Sequence, residues 1–213
     1  MDDCCQDKGR ETEHLARQAS QRGVLRAVLA INAIMFGIEF SAGLFARSTA
    51  LLADSVDMFG DASVYALSLY ALDRGMRWRA GAALVKGVFI FGFGVWVLVE
   101  VGLKISDGVT PMASVMAGIG VVALAANLIC LALLWRFRGY DVNMSSTFEC
   151  SRNDVIANLG VLIAAAGVWL ADTGWPDILV GLLIAVLFLR SAARVVREAW
   201  AQFRSAELQP RAR

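Results

Sequence analysis

Long apolar runs, separated by short polar breaks, organise this chain from end to end. Runs from Val24 to Ala46, Ala50 to Leu72, Ala82 to Leu103, Met112 to Trp135, about Asn143 to Leu170 and Pro176 to Val196 are each close to the ~20 residues with which a helix crosses ~30 Å of hydrocarbon. Lipid offers the backbone no hydrogen bonds, so a spanning segment must be a helix or part of a closed barrel, and the short alternating pattern of barrel strands is absent. The pattern predicts an all-α, polytopic membrane protein: a six-transmembrane-helix bundle over residues 23–198, with tails at 1–22 and 199–213. Tails of that length leave no room for a folded soluble domain. The first run is longer than a signal-peptide core and no small-residue cleavage site follows it, so it reads as a retained span.

Composition agrees with the pattern: the 213 residues are 58% hydrophobic and 18% charged, with mean hydropathy +0.59. Orientation follows from the basic residues. Lys8, Arg10, Arg17, Arg22 and Arg26 precede the first run, Arg74, Arg77 and Arg79 follow the second, Arg136 and Arg138 follow the fourth, and six arginines from Arg190 onward close the chain. The opposite side receives only Arg47 and Lys104, so an even number of crossings with both termini cytoplasmic satisfies the positive-inside rule. Because the charges are segregated by side, the net charge of +1 says little, and no basic patch with interleaved aromatics suggests a nucleic-acid partner.

Ionisable residues inside spans are costly enough that function is their default reading. Asp54, Asp57 and Asp61 fall within an arc of roughly 60° on one face of the second helix, at ~100° per residue. Salt bridges are too few to explain them, since Lys86 and Arg152 are the basic residues available inside spans against Asp54, Asp57, Asp61, Asp154, Glu39 and Glu100. A bound cation resolves the imbalance. Asp54, nearer the outer end, is expected to cap the helix or pair with Arg47 at the interface, which leaves Asp57 and Asp61 as the stronger ligand candidates. In the fifth span Cys150 and Asp154 repeat the four-residue spacing and share a helix face, with Ser151 and Asn158 beside them. A thiolate and carboxylate oxygens suit Zn²⁺, and the sulfur also favours softer ions such as Cd²⁺.

The remaining chemistry is sparse. Cys130, among Leu128, Ile129 and Leu131, reads as a packed small hydrophobe. Cys4 and Cys5, beside Asp2, Asp3, Asp7 and His14, form either a transient soft-metal capture site or a plain polar tail. No nucleophile with a neighbouring base is visible and the single histidine, His14, lies in the tail, so the protein is not expected to be an enzyme or to carry a prosthetic group.

The stretch from Ser48 to Asp61, including Leu51-Leu52-Ala53-Asp54-Ser55-Val56-Asp57 and Gly60-Asp61, resembles the second-helix signature of the cation diffusion facilitator family of metal efflux proteins. Cys150-Ser151-Arg152-Asn153-Asp154 and the apolar run containing Gly160 resemble its fifth-helix counterpart, and Glu39 and Trp175-Pro176-Asp177 fall where the family has similar residues. The family usually has His at the position of Cys150, which implies a softer selectivity here. Many members continue into a cytoplasmic metal-binding and dimerising domain, whereas this chain ends soon after Arg197, as expected of a short form lacking it. A homodimer would then rest on the spans, with Gly37, Gly87, Gly94, Gly118 and Gly160 allowing close approach either between chains or between helices of one protomer.

The resemblance implies an integral protein of the bacterial cytoplasmic (inner) membrane that exports a divalent transition metal, zinc or cadmium among them, in exchange for protons. Asp57, Asp61, Cys150 and Asp154 are the expected metal ligands. They bind metal deprotonated, so protons and metal compete for them. A membrane sensor or structural bundle holding a static ion is the competing class. Counted from span ends at ~1.5 Å per residue, Asp61 lies roughly 17 Å deep and Asp154 roughly 24 Å, an offset that a tilt of ~20° can absorb.

Overall fold

The computed structural model describes the backbone of residues 2–70, 76–138 and 142–208, with side chains described chiefly over 20–63, 87–138 and 151–190. Six helices follow one another: α1 (Asp2–Ala46), α2 (Thr49–Tyr70), α3 (Met76–Asp107), α4 (Ala113–Trp135), α5 (Val142–Ala171) and α6 (Trp175–Leu208). Each expected span lies on one of them, and no strand occurs among the described residues. Among the described residues, four stretches are long and apolar enough to cross a membrane on length and composition: Ser20–Ala46, Gly87–Asp107, Ala113–Trp135 and Ser151–Ala171. α2 carries three aspartates within its apolar run, and α6 continues past its apolar part through Arg190, Arg194 and Arg197. The stretch expected as an N-terminal tail is helical from Asp2, in keeping with its many good helix formers, and α6 likewise continues to Leu208.

α2 is the inner helix of the bundle, packed against α1, α3, α5 and α6. Ala50, Leu51, Leu52, Ala53, Val56 and Met58 are all buried. Large exposed apolar side chains, such as Phe45, Phe89, Ile129, Ile163 and Leu183, belong to the surrounding helices, and none is found on the described part of α2. A helix enclosed by others can hold aspartates that lipid would not tolerate.

The turn between α1 and α2 has two residues, Arg47 and Ser48. Arg47 adopts a left-handed φ of 53°, its N–H donating to the Leu44 carbonyl at 3.2 Å while the Ser48 N–H reaches Gly43 at 2.9 Å, the hydrogen-bond pair of a Schellman cap. So tight a turn starts α2 inside the bundle. Two glycines make room for it: a Cβ on Gly43 would stand 2.9 Å from the Leu52 side chain, and one on Gly181 of α6 would stand 2.7 Å from the Thr49 carbonyl carbon. Of the glycines expected to permit close approach, Gly87 and Gly94 do so against Val196 and Leu189 of α6, Gly160 is in ordinary contact with Val180, and Gly37 and Gly118 meet nothing within 4 Å.

Candidate metal site

The outer end of α2 is closed by a carboxylate from another helix. Pro176 in the first turn of α6 suits a position whose N–H has no helical partner, and the next residue, Asp177, points its fully buried carboxylate at the start of α2. That carboxylate accepts hydrogen bonds from the Thr49 N–H (2.8 Å), the Ala50 N–H (3.1 Å), the Ser48 hydroxyl (2.6 Å) and the Thr49 hydroxyl (2.6 Å). Lys104 Nζ completes the set at 2.7 Å. Ser48 Oγ in turn accepts from the Leu51 N–H at 3.1 Å. Orphan amides at a helix start need partners, and here no water is needed to supply them. Lys104, expected beyond the outer end of the third span, is instead buried in the last turn of α3.

Below this clasp runs the acidic face of α2. Asp54, expected at the interface with Arg47, is 1% exposed and accepts a hydrogen bond from Asn158 Nδ2 of α5 at 2.7 Å. Asn158 Oδ1 accepts from Asn127 Nδ2 of α4 at 3.1 Å, so a polar chain crosses three helices in the core. The interface reading of Asp54 fails because Asp54 lies five residues inside the start of α2, where Asn158 of α5 is its partner. One turn inward, the carboxyls of Asp57 and Asp154 lie within hydrogen-bonding reach of each other. Asp61 is the next strong charge felt by Asp57, and it also faces Cys130 of α4, which packs among Val28, Leu134 and Phe137 with Asn32 Nδ2 at 3.9 Å.

These contacts fix the antiparallel register of α2 and α5, with 54 opposite 158 and 57 opposite 154. Carried one turn inward, the register sets position 61 opposite position 150. The side chain of Cys150 lies outside the described residues, as do those of Cys4 and Cys5. Register also removes the expected depth mismatch. Asp54 is five residues from Thr49 and Asn158 thirteen from Ala171, so α5 extends beyond the start of α2 at the outer end. Among the described residues no three His, Cys, Asp or Glu side chains are gathered around one point. The pair Asp57 and Asp154 is what the fold brings together directly.

Glu39 of α1 belongs to the same neighbourhood. It is 0% exposed, the carboxylates acting on it most strongly are Asp54 and then Asp57, and neither of its oxygens has a hydrogen-bond partner among the described residues. Asn127 and Asn158 had little weight in the sequence. Their signal was the polar amide inside an apolar span, which in hydrocarbon requires a partner.

An all-helical membrane bundle whose inner helix carries buried carboxylates facing a second acidic helix is the architecture of an ion-handling membrane protein. The sequence profile of the cation efflux transmembrane domain matches residues 25–202, and the chain belongs to that family as an integral protein of the cytoplasmic membrane. It is similar to the metal cation efflux system protein CzcD of Cupriavidus metallidurans, with 22% identity over 193 residues, 82% of this chain and 61% of that protein. It is also similar to the cadmium, cobalt and zinc/H(+)-K(+) antiporter of Bacillus subtilis, with 24% identity over 196 residues, 83% of this chain and 62% of that protein. The zinc transporter ZitB of Yersinia pestis is 25% identical over 198 residues, 86% of this chain and 63% of that protein. The chain thus spans about three fifths of the length of these relatives.

Proposed function

We propose that this protein exports a divalent transition metal, zinc or cadmium, in exchange for protons, and that Asp57, Asp61, Cys150 and Asp154 hold the ion in transit. The carrying observation is the meeting of Asp57 and Asp154 across α2 and α5. Two carboxyls side by side inside the bundle repel each other unless a proton or a cation lies between them. A site that accepts either one is the requirement for exchange. Metal arriving from the cytoplasm displaces the proton, and a proton arriving from outside displaces the metal.

Family membership supports metal as cargo, and the printed names of the relatives mention cadmium, cobalt and zinc. The register supports the wider set, since continuing the 54–158 and 57–154 pairing by one turn brings positions 61 and 150 to the same level. In this reading the clasp at Asp177 keeps the outer end shut while the ion loads from inside, and it must loosen for release. Alternating access then needs movement of α2 against α6, where Gly181 permits close backbone contact.

Metal-driven proton flux, followed with a pH dye in sealed proteoliposomes, tests the proposal. Wild-type protein is expected to acidify or alkalinise the lumen according to the direction of the metal gradient, and Asp57→Ala and Asp154→Ala to match protein-free vesicles. Metal binding without proton flux in the wild type would mean a static site and would end the exporter reading. Cys150→His is expected to shift preference from cadmium toward zinc.

A further inference from the structure

We propose that Glu39 and Asp54, with the amide oxygen of Asn127, form a second binding station for a divalent cation, one turn outward of the central pair and beneath the clasp. The proposal rests on the exporter reading above, and it adds a site to it. Four observations carry it. Glu39 is wholly buried and both its oxygens lack hydrogen-bond partners among the described residues. The carboxylate acting on it most strongly is Asp54, which is itself buried and, among the described residues, accepts a hydrogen bond from the Asn158 amide. Asn127 Oδ1, on the polar chain that ends at Asp54, is also buried without a hydrogen-bond partner among the described residues. No basic side chain among the described residues is shown against either acid, whereas Asp177 holds Lys104.

Burying an acceptor without a donor costs about 1–3 kcal/mol, and more when it is charged. Evolution of a stable bundle would replace such a group with an apolar one of the same length unless something visits it. A cation fits the deficit, since every unsatisfied atom here is an oxygen acceptor. Position gives the station its purpose. Asp54 is three residues from Asp57, about 4.5 Å along the axis toward the outside. An ion leaving the central pair toward the outer end meets these oxygens next, and a path of several modest sites releases an ion more readily than one tight site. With oxygen donors alone the station does not share the sulfur preference of a set containing Cys150, so it takes zinc or manganese at least as well as cadmium.

Equilibrium dialysis of the purified full chain in detergent, with Zn²⁺, Mn²⁺ and Cd²⁺ added singly and bound metal measured by elemental analysis, tests this. Wild type is expected to saturate at two Zn²⁺ per chain, Asp57→Asn/Asp154→Asn at one, and Glu39→Gln at one. Asp54→Asn should behave as Glu39→Gln, which guards against a fold defect peculiar to either change, and size-exclusion profiles confirm that each variant remains folded. In the double variant the residual site is expected to accept Mn²⁺ as readily as Cd²⁺. Unchanged stoichiometry in both Glu39→Gln and Asp54→Asn overturns the station while leaving the exporter reading intact, as does loss of all binding in the central double variant. Normal metal transport by that double variant would instead remove the central site, and with it the exporter reading on which the station rests.

Discussion

Asp177 and Glu39 are two carboxylates at equal burial in opposite circumstances. Asp177 has two backbone amides, two hydroxyls and an ammonium arranged around it, and it ties α2, α3 and α6 together at their outer ends. Glu39 has no hydrogen-bond partner among the described residues and faces other acids. A buried charge that the fold satisfies is structural, and one that the fold leaves unsatisfied is reserved for something that comes and goes. The clasp and the acidic core thus divide the work of holding the bundle and handling the ion.

Substitutions can break or sharpen that division. The largest effect is expected from Asp177→Ala, which strands the buried Lys104 charge and uncaps α2; loss of about 3–5 kcal/mol in a detergent unfolding titration would fit, and a loss below that of an ordinary surface change would contradict the clasp. Glu39→Met should go the other way, gaining about 1–3 kcal/mol by removing an unsatisfied buried group, while metal transport falls. A destabilised Glu39→Met would mean that the carboxyl has a structural partner after all. Gly181→Ala drives a Cβ into the Thr49 backbone and should cost about 1–3 kcal/mol by overpacking, read as a lowered melting temperature. The smallest effect is Arg47→Gly, which relieves a left-handed non-glycine residue at the α1 cap and should raise stability by about 1 kcal/mol.

Much of the helical layout could be read from the chain, because hydrocarbon permits so few alternatives: each long apolar run had to be a helix, and each lies on one. The acidic stripe on α2 was equally plain from spacing. What spacing hid was depth. Counting from the ends of apolar runs misplaced Asp54 at the interface and Lys104 outside it, since nothing local in Arg47-Ser48 announces that Asp177 and Lys104 meet at the start of the next helix. The clasp was hidden for a related reason: Ser48, Thr49, Lys104 and Asp177 lie far apart in sequence, and only the tertiary fold brings their polar atoms together. Glu39 stood out as a polar residue in an apolar span, but its lack of a partner is a property of three-dimensional packing that no single segment carries.

Anomalous diffraction from crystals of the full chain loaded with Cd²⁺ tests the central claim most directly. A peak between α2 and α5, within about 2.0–2.6 Å of carboxylate oxygens from both Asp57 and Asp154, is the expected result. Cadmium bound elsewhere at full occupancy, with Asp57 and Asp154 still facing each other and no peak between them, would contradict it.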